Sequence, residues 1–576
     1  MISEVATGVT SNTKVENEVP AVFVRDLYLS VPDHQKRGET KTLLNRVSFR
    51  VAPGTFTAII GSSGCGKTTL VRLLAGLRNP TSGAIRLSGH DPRSLRVSLP
   101  LAIGYLPQFS AFHDSLTVRE VLADALAFRL PYSISSEQRQ EWLERVIGLV
   151  GLQSQVDQSC GTLSGGQKRR LALAEELIGD PPVLFLDELT SGLDPNSELE
   201  MMRWLHRLVR ETGKTVVMVT HSVNNLDQCD QILFLHEGNL LYSGPPDGLL
   251  PGFGFSTIEE VYASAGKFAP VLQESEPGEL PKPQPLRSAQ PAGSFFQFPA
   301  LLRRQFRLLF RDRGQLWLQI LLLFSFPALV AVFALDGLPA VQNLSMKVET
   351  SVVEGLAAQL RYMTDSFDVA ALVQGLSMFQ VILLTLMGAN NGAREIAKER
   401  LVLHKELRAG LSAFSYLATK TLQVMLFSLV QSFWMTWVVK EMCGFPGSFG
   451  EQFLTLFMAT LAMSTTCLFF SAISSSPEKA SLLSTYLVGL QLPLSGAVLA
   501  LPEILRVITQ PFIAAYWGWS GYLRSLESFR HYDVVQQVSK TAIASYWVGI
   551  VVLGLHALLM TVAAWLVIRR QREKLA

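Results

Sequence analysis

Residues 61–68 have the pattern GxxxxGK[ST], which builds a loop that binds phosphate groups. The pattern follows an apolar run at residues 58–60 and precedes a helical run at residues 70–77, the context that such a loop requires. Glycines let the backbone curl so that several N–H groups point at one phosphate cluster, and the helix N-terminus adds positive potential. Lys67 would reach the β- and γ-phosphates of a bound nucleotide. The predicted nucleotide-binding residues in this loop are Gly61, Ser62, Ser63, Gly64, Cys65, Gly66, Lys67, Thr68 and Thr69.

Two adjacent carboxylates follow the apolar run 183–186. A buried strand there would deliver Asp187 to a Mg²⁺ ion, which the Thr68 hydroxyl would also ligate. Glu188, one residue further on, would orient or deprotonate an attacking water molecule. An apolar run before Asp-Glu is usually only a strand end, but downstream of a phosphate-binding loop it predicts a Walker B motif.

The sequence Leu-Ser-Gly-Gly-Gln at residues 163–167 leads into a basic helix. A turn of this kind is an anion site, although it is also an ordinary way to begin a helix. It is identified as the signature motif of the ATP-binding cassette (ABC) family. In that family the motif binds the γ-phosphate of ATP held by a partner subunit, so that two cassettes enclose two nucleotides head to tail. The resemblance assigns this role to Leu163, Ser164, Gly165, Gly166 and Gln167.

Three further residues match the family in the same order along the chain. Gln108 resembles the Q-loop glutamine, Asp194 the D-loop aspartate, and His221 the switch histidine that contacts the γ-phosphate. The resemblance implies a transport ATPase with ATP and Mg²⁺ as cofactors. Its catalytic residues would be Glu188, His221 and Gln108, and its Mg²⁺ ligands would be Thr68, Gln108 and Asp187.

The composition indicates that much of the chain is not exposed to water. Charged residues make up only 17% of the 576 residues and hydrophobic residues 48%, whereas an average soluble protein carries about 25% charged residues. These proportions exclude a wholly soluble enzyme and a disordered chain. The formal net charge of +2 gives no reason to expect nucleic acid as a partner. The five cysteines are scattered without a CxxC pair, which argues against a disulfide scaffold or a zinc site.

The sequence divides into four predicted regions. Residues 1–255 alternate β-branched and helical runs, residues 256–294 form a Pro-rich linker, residues 295–314 form an amphipathic connecting helix, and residues 315–576 form a membrane domain. The predicted fold is therefore an α/β P-loop nucleotide-binding domain followed by an all-α six-helix transmembrane domain.

Six apolar segments have about the 20 residues needed to cross a bilayer. They are residues 316–335, 370–390, 415–439, 453–473, 480–501 and 546–568. Buried helices of a large soluble protein are the alternative, but so many segments in the second half of the chain favour membrane insertion. Lys and Arg cluster before the first segment, between the second and third, and after the sixth. The positive-inside rule then predicts a multi-pass protein of a bacterial inner membrane or a plasma membrane, with the cassette and both termini cytoplasmic.

The order of cassette first and membrane domain second resembles the G subfamily of ABC half-transporters, which includes pigment, multidrug and sterol carriers. The charged segment 395–410 after the second span resembles that subfamily's coupling helix. The signature sequence and the long loop 336–369 favour a bacterial relative. By analogy, Arg304 of the connecting helix would pair with Glu406 of the coupling segment. The alternative is a membrane-surface helix whose arginines are solvated.

The resemblance implies ATP-driven export of a hydrophobic or amphipathic compound, such as a lipid, a sterol-like or a drug-like molecule. The predicted partners are a second copy of the chain, membrane lipid and a hydrophobic small-molecule cargo. A heterodimer is the alternative to a homodimer. Export of a polymer or glycolipid, and ATP-driven shape change without transport, are the alternative functions. The predicted spans carry few ionisable residues, which disfavours a proton or metal-ion pathway.

One position departs from the family pattern. Most cassettes stack an aromatic ring on adenine from a strand upstream of the phosphate-binding loop, and Val31 occupies that position here, with Tyr28 out of register. We therefore expect modest nucleotide affinity. A Val31→Tyr substitution should tighten ATP binding by about fivefold, since an aromatic contact adds roughly 1 kcal/mol. Equilibrium binding of a fluorescent ATP analogue measures this, and unchanged affinity would contradict the assignment of Val31.

Overall fold

The computed structural model describes residues 19–32, 40–92, 103–130, 134–270, 281, 283, 293–333, 352–497, 501–539 and 541–575. The chain divides into two compact units. The first ends at Phe296 and also includes Arg408–Gly410, and the second begins at Gln297. Each unit has its own hydrophobic core.

The described part of the first unit contains nine strands in two sheets. An antiparallel sheet has the order β2-β1-β4, and a second sheet has the order β5-β6-β7-β3-β8-β9, in which only β8 and β9 pair antiparallel. The strands are β1 (Val22–Pro32), β2 (Thr40–Val51), β3 (Phe56–Gly61), β4 (Ser82–Leu87), β5 (Ile103–Leu106), β6 (Val183–Asp187), β7 (Thr215–Val219), β8 (Gln231–His236) and β9 (Asn239–Gly244).

Strands β3, β6 and β7 are buried along their whole length. A parallel strand covered on both faces has no solvent side, which explains why all three are almost continuously apolar rather than alternating. Because parallel strands end at one edge of the sheet, the residues that follow β3, β6 and β7 come together there. That edge carries the phosphate-binding loop, the two carboxylates and His221.

Several helices of the first unit begin at side-chain caps that the sequence supplies. Thr117 and Ser135 each form a capping box, with Glu120 and Gln138 respectively, and so satisfy N–H groups that a helix end would leave unpaired. The helices of the first unit are α1 (Lys67–Leu74), α2 (Val118–Arg129), α3 (Ser136–Val150), α4 (Gly165–Leu177), α5 (Pro195–Thr212), α6 (Leu249–Phe253) and α7 (Ile258–Ser264).

The first part of the predicted linker, residues 256–294, contains ordered structure. Helix α7 lies at its start, and aromatic side chains fix this segment to the cassette: Tyr262 packs on Phe234 with ring centroids 5.1 Å apart, and Phe268 packs on Phe253 at 4.7 Å. The rest of the predicted linker lies outside the described residues, apart from 281, 283 and 293–294.

The described part of the second unit is helical. Its elements are α8 (Ser294–Arg311), α9 (Arg313–Val332), α10 (Val352–Gly392), α11 (Arg400–Arg408), α12 (Ala413–Cys443), α13 (Phe449–Ile473), α14 (Pro477–Leu494), α15 (Glu503–Thr509), α16 (Ala514–Arg524), α17 (Arg530–Val538) and α18 (Tyr546–Leu575). Helix α10 is far longer than the predicted second span, because it begins in the segment predicted to be an external loop.

Within the described residues, five helices rather than the predicted six are long and apolar enough to cross a membrane: α9, α10, α12, α13 and α18. The predicted fifth span forms α14, an 18-residue helix that begins with Pro477 and carries Glu478 and Lys479 in its first turn. These charges shorten its apolar stretch. Residues 498–500 of that predicted span lie outside the described part.

The predicted loop 502–545 contains a buried helix that the sequence did not reveal. Helix α16 packs against α10, α13 and α14, and most of its residues are buried. Two glycines allow this close approach: a Cβ on Gly518 would lie 3.0 Å from Ala459 Cβ, and one on Gly521 would lie 3.0 Å from Thr455 Cγ2. The membrane unit therefore has a core element besides its spans.

Polar side chains inside the spans bond to one another. Gln319, Asn391 and Gln431, from α9, α10 and α12, form a buried ring of amide hydrogen bonds of 2.8–3.2 Å. Near them, a Cβ on Gly392 would lie 2.2 Å from the carbonyl oxygen of Ser464, so α10 and α13 touch through their backbones. Small residues and amide pairs are the usual contacts between helices in lipid.

Candidate functional site

The phosphate-binding loop needs its glycines because the backbone around it is crowded. A Cβ on Gly61 would lie 2.1 Å from the carbonyl oxygen of Leu235, and one on Gly66 would lie 2.8 Å from that of Leu43. Both glycines have positive φ, 147° and 106°. Only glycine fits both the space and the dihedral angles, so the loop can curl before α1 begins.

The Lys67 side chain is buried within this loop, with 5% of its surface exposed. Its ammonium group donates to the carbonyl oxygens of Gly61 and Ser62, each at 2.8 Å. Burial lowers the pKa of Lys67, and the nearby thiol of Cys65 and the carboxylates of Glu188 and Asp187 oppose that shift. The loop thus holds a positive charge at the place where the sequence predicts phosphates.

The other loop residues surround Lys67. Ser63 and Gly64 are exposed, and Thr69 is half-buried in the first turn of α1. Cys65 is buried, and burial raises the pKa of its thiol.

Asp187 and Thr68 meet at the predicted metal position. The Thr68 hydroxyl donates to Asp187 Oδ1 at 2.9 Å. Burial raises the pKa of Asp187, and the bond from Thr68 opposes the shift. Two oxygen atoms of this kind are ligands that Mg²⁺ prefers, and Mg²⁺ takes its remaining ligands from phosphate oxygens and water. The residues present therefore fit the ion.

The three predicted catalytic side chains lie in contact. Gln108 donates from Nε2 to Glu188 Oε2 at 2.7 Å, and His221 donates from Nε2 to Glu188 Oε1 at 2.7 Å. Glu188 has a φ of 55°, which is unusual for a residue with a side chain and costs about 1–3 kcal/mol. That dihedral angle turns the chain at the end of β6, where the carboxylate lies between its two partners.

Strand register explains how these residues meet. Leu106 pairs with Leu186 across β5 and β6, and Asp187 pairs with Val219 across β6 and β7. Gln108 lies two positions after Leu106, and Glu188 lies two positions after Leu186. His221 lies two positions after Val219. The sheet thus brings three distant parts of the sequence to one edge.

The signature residues form the start of α4. Ser164 is its N-cap: the hydroxyl accepts from the Gln167 N–H at 3.3 Å, and Gln167 Oε1 accepts from the Ser164 N–H at 2.9 Å. Leu163 is buried. A Cβ on Gly165 would meet no atom within 4 Å among the described residues, and a Cβ on Gly166 would meet only Leu193 Cδ2, at 4.0 Å. The space beside both glycines is therefore open.

The D-loop residues lie beside this helix start. Arg169 of α4 donates to the carbonyl oxygen of Ser191, which connects the signature helix to the D-loop. Asp194 is the N-cap of α5 and accepts from the Ser197 N–H at 3.0 Å. Hydrogen bonds from the Ser197 hydroxyl and, second, from the Ser197 N–H lower the pKa of Asp194.

Val31 lies at the end of β1, opposite Lys41, and is half-buried. Tyr28, the nearby aromatic residue, pairs with Ser82 of β4, and its hydroxyl lies 3.2 Å from that of Thr42. Residues 33–39, which follow Val31, lie outside the described part. Stacking of adenine at Val31 stays a prediction.

Sequence reasoning missed one member of this site. Tyr105 of β5 places its hydroxyl 3.5 Å from Asp187 Oδ2, on the side away from Thr68. Burial raises the pKa of Tyr105, so the hydroxyl keeps its proton and can donate. Tyr105 lies three residues before Gln108, and this closeness in sequence was the one indication that it could belong to the site. The contact itself depends on the register of β5 and β6.

The predicted pair in the second unit is also in contact. Arg304 of α8 and Glu406 of α11 form a two-pronged ion pair, in which Nη2 donates to Oε2 at 3.0 Å and Nη1 donates to Oε1. Their side chains are 5% and 13% exposed. The sequence alternative, in which this arginine is solvated, is therefore wrong for Arg304.

Comparison with known proteins identifies two family regions. Residues 44–191 match the family described as ABC transporter, and residues 296–519 match ABC-2 type transporter. The ABC transporter ATP-binding/permease protein Rv1747 of Mycobacterium tuberculosis is 32% identical over 503 residues, which are 84% of this chain and 55% of that protein. The chain thus spans about half the length of this relative.

Two other similarities cover the cassette. The Nod factor export ATP-binding protein I of Paraburkholderia xenovorans is 35% identical over 243 residues, 41% of this chain and 78% of that protein. A solved structure of the ATP-binding cassette MJ0796 with ADP and Pi is 26% identical and covers 39% of this chain and 98% of its own, with a TM-score of 0.36.

The two family matches agree with the motifs and with the five apolar helices in the described part, and together they make this a multi-pass membrane protein. The chain belongs to the ABC transporters and joins an ATP-binding cassette to an ABC-2 type membrane domain, the arrangement of a half-transporter.

Proposed function

We propose that two copies of this chain use ATP to export a hydrophobic or amphipathic compound across a membrane. The observation that carries the proposal is the Glu188 carboxylate held between Gln108 and His221, beside the Thr68–Asp187 pair. A carboxylate fixed at both oxygens, next to a phosphate-binding loop, is placed to activate water for attack on a phosphate.

Each residue of the site then has a defined task. Lys67 neutralises charge on the β- and γ-phosphates, and His221 contacts the γ-phosphate while keeping Glu188 in place. Thr68, Asp187 and the carboxamide oxygen of Gln108 would hold Mg²⁺, which neutralises phosphate charge when it is bound. Tyr105 orients the Asp187 carboxylate from its other side.

The signature residues act on the nucleotide of the second copy. Ser164 and Gly165 are exposed at the start of α4, and the missing side chains of Gly165 and Gly166 let a phosphate approach the backbone there. An intact set of hydrolytic residues in this chain supports a homodimer, in which each ATP lies between Lys67 of one copy and Ser164 of the other.

The Arg304–Glu406 pair would transmit cassette movement to the spans. It joins the helix that enters the first span to the segment that follows the second. Because both charges are buried, separation of the pair is costly, and α8 and α11 should move together. We place the cassette and both termini in the cytoplasm, as the distribution of Lys and Arg favours.

Three observations support an apolar cargo. The spans carry few ionisable residues, their amide groups bond to one another in the described part, and relatives are named for multidrug transport and Nod factor export. ATP-dependent flux of a dye or lipid in proteoliposomes tests the proposal. Hydrolysis without flux of any tested compound would instead favour ATP-driven shape change without transport.

Glu188→Gln should bind ATP with nearly unchanged affinity and hydrolyse it at least about a hundredfold more slowly, because the amide cannot take a proton from water. Steady-state phosphate release and equilibrium ATP binding measure the two effects. Glu200→Gln, which changes an exposed carboxylate of α5, is the matched control and should keep normal turnover. Near-normal hydrolysis by Glu188→Gln would remove Glu188 from its proposed role.

Co-expression of a Lys67→Ala chain with a Ser164→Ala chain tests whether the site is shared. Each variant alone should be inactive. In mixed dimers up to about half of the composite sites should be restored, because one of the two sites has both residues intact. Phosphate release after purification through two different tags measures this. No recovery in verified mixed dimers would contradict the shared site.

Exchange of the buried charges tests coupling. Arg304→Glu and Glu406→Arg should each reduce flux per ATP hydrolysed, since each leaves a like-charge pair buried, at a cost of about 3–5 kcal/mol. The double variant Arg304→Glu/Glu406→Arg should recover much of the flux per ATP hydrolysed. The exposed pair Arg569 and Glu573, exchanged in the same way, is the control and should leave the ratio unchanged. Failure of the double variant to recover any coupling would refute the role of the pair.

A further inference from the structure

The last part of the cassette, residues 249–268, carries aromatic side chains that pack on strand β8. Phe253 of α6 lies 5.9 Å from Phe234 of β8, and Tyr262 of α7 lies 5.1 Å from it, measured between ring centroids. Phe268 in turn packs on Phe253 at 4.7 Å. Phe234 is completely buried, and the other three rings are half-buried. Aromatic contacts therefore hold this segment on β8.

Strand β8 also supports the phosphate-binding loop. Leu235, the residue after Phe234, pairs with Gly61, where the loop begins. Just beyond the end of β8, the N–H of Gly238 donates to the carbonyl oxygen of Cys65 at 3.0 Å. The loop thus contacts β8 and the residues after it at its first position and again near its middle.

The side chain of Tyr262 extends from the aromatic rings to the loop itself. Burial raises the pKa of Tyr262 to about 12, and a hydrogen bond with the backbone of Gly61 opposes that shift. The carbonyl oxygen of Gly61 also accepts from the Lys67 ammonium group at 2.8 Å. The backbone of this glycine is therefore held by two side chains, one from α7 and one from the loop.

Two of the aromatic residues here carry a hydroxyl, and they use it differently. Tyr242, which packs on Phe253 at 6.2 Å, donates to the carbonyl oxygen of Pro245 at 2.7 Å. That bond is local to the end of β9, whereas the Tyr262 hydroxyl bonds to the phosphate-binding loop. Because a phenylalanine ring could pack on Phe234 equally well, packing alone does not explain the hydroxyl of Tyr262.

We propose that Tyr262 is a positioning residue of the phosphate-binding loop, which holds Gly61, and through it Lys67, in the arrangement that receives the β- and γ-phosphates. This role rests on the proposed ATP site and does not depend on the exported compound. Tyr262 acts through the loop, so it should support ATP binding equally in the ground state and in the transition state. Its loss should therefore raise the KM for ATP and leave kcat nearly unchanged.

The test compares two variants of the full-length protein that each lose one hydroxyl from the same group of rings. Tyr262→Phe should raise the KM for ATP about fivefold, the effect of one hydrogen bond, with kcat within about twofold of the wild type. Tyr242→Phe is the matched control and should keep the KM of the wild type. Steady-state phosphate release measures both constants, and thermal unfolding checks that the two variants are equally folded.

Hydrogen exchange gives a second readout that needs neither nucleotide nor hydrolysis. In Tyr262→Phe, peptides that cover residues 58–66 should take up deuterium faster than in the wild type, and in Tyr242→Phe they should not. Unchanged exchange or an unchanged KM in Tyr262→Phe would overturn the proposal. Equal changes in both variants would also overturn it, since the effect would then belong to the aromatic packing as a whole.

Failure of the proposed function would be distinguishable from failure of this inference. If the wild type hydrolysed no ATP, the proposed transport cycle would be contradicted, and the dissociation constant of ATP would replace the KM. The exchange of the loop peptides would still report whether Tyr262 holds Gly61.

Discussion

The Glu188 carboxylate, fixed between Gln108 and His221, is the contact on which the nucleotide site depends. Its two oxygen atoms accept hydrogen bonds from side chains that follow β5 and β7, whereas Glu188 itself follows β6. The contact therefore requires the register of all three strands. The positive φ at Glu188 costs energy that the sheet around it must offset. A register shift of one strand by a single residue would separate these three side chains. The buried apolar strands are therefore what keep the three proposed catalytic side chains together.

The membrane unit uses a different kind of constraint. Its helices touch through glycines such as Gly392 and Gly518, and buried amides bond across three spans. Near the proposed cytoplasmic side, ion pairs replace amides: Lys420, which is 1% exposed, lies 2.9 Å from Glu399, and Arg304 pairs with Glu406. Buried charges keep their partners because separation leaves a charge without compensation. Packing contacts and amide hydrogen bonds therefore hold the spans together, whereas ion pairs hold the helices together near the proposed coupling segment.

The sequence allowed the cassette to be predicted better than the membrane unit. A phosphate-binding motif requires a fixed spacing of its residues, so the motifs at residues 61–68 and 163–167 could be recognised from the sequence alone. The contact of Tyr105 with Asp187 was not readable, because it depends on strand register. Helix α16 was missed because its aromatic and small residues are buried by neighbouring helices rather than by a continuous apolar run. Residues 352–369 extend α10 although they contain charged side chains, which a composition-based prediction assigns to a loop.

The central claim is that two copies of the chain enclose the nucleotides between their cassettes. Native mass spectrometry of the full-length Glu188→Gln protein with Mg²⁺ and ATP tests it most directly, since slow hydrolysis preserves the ATP-bound form. The account predicts a complex of two chains that retains two ATP molecules after removal of free nucleotide. A single chain that retains ATP with the same lifetime would contradict it.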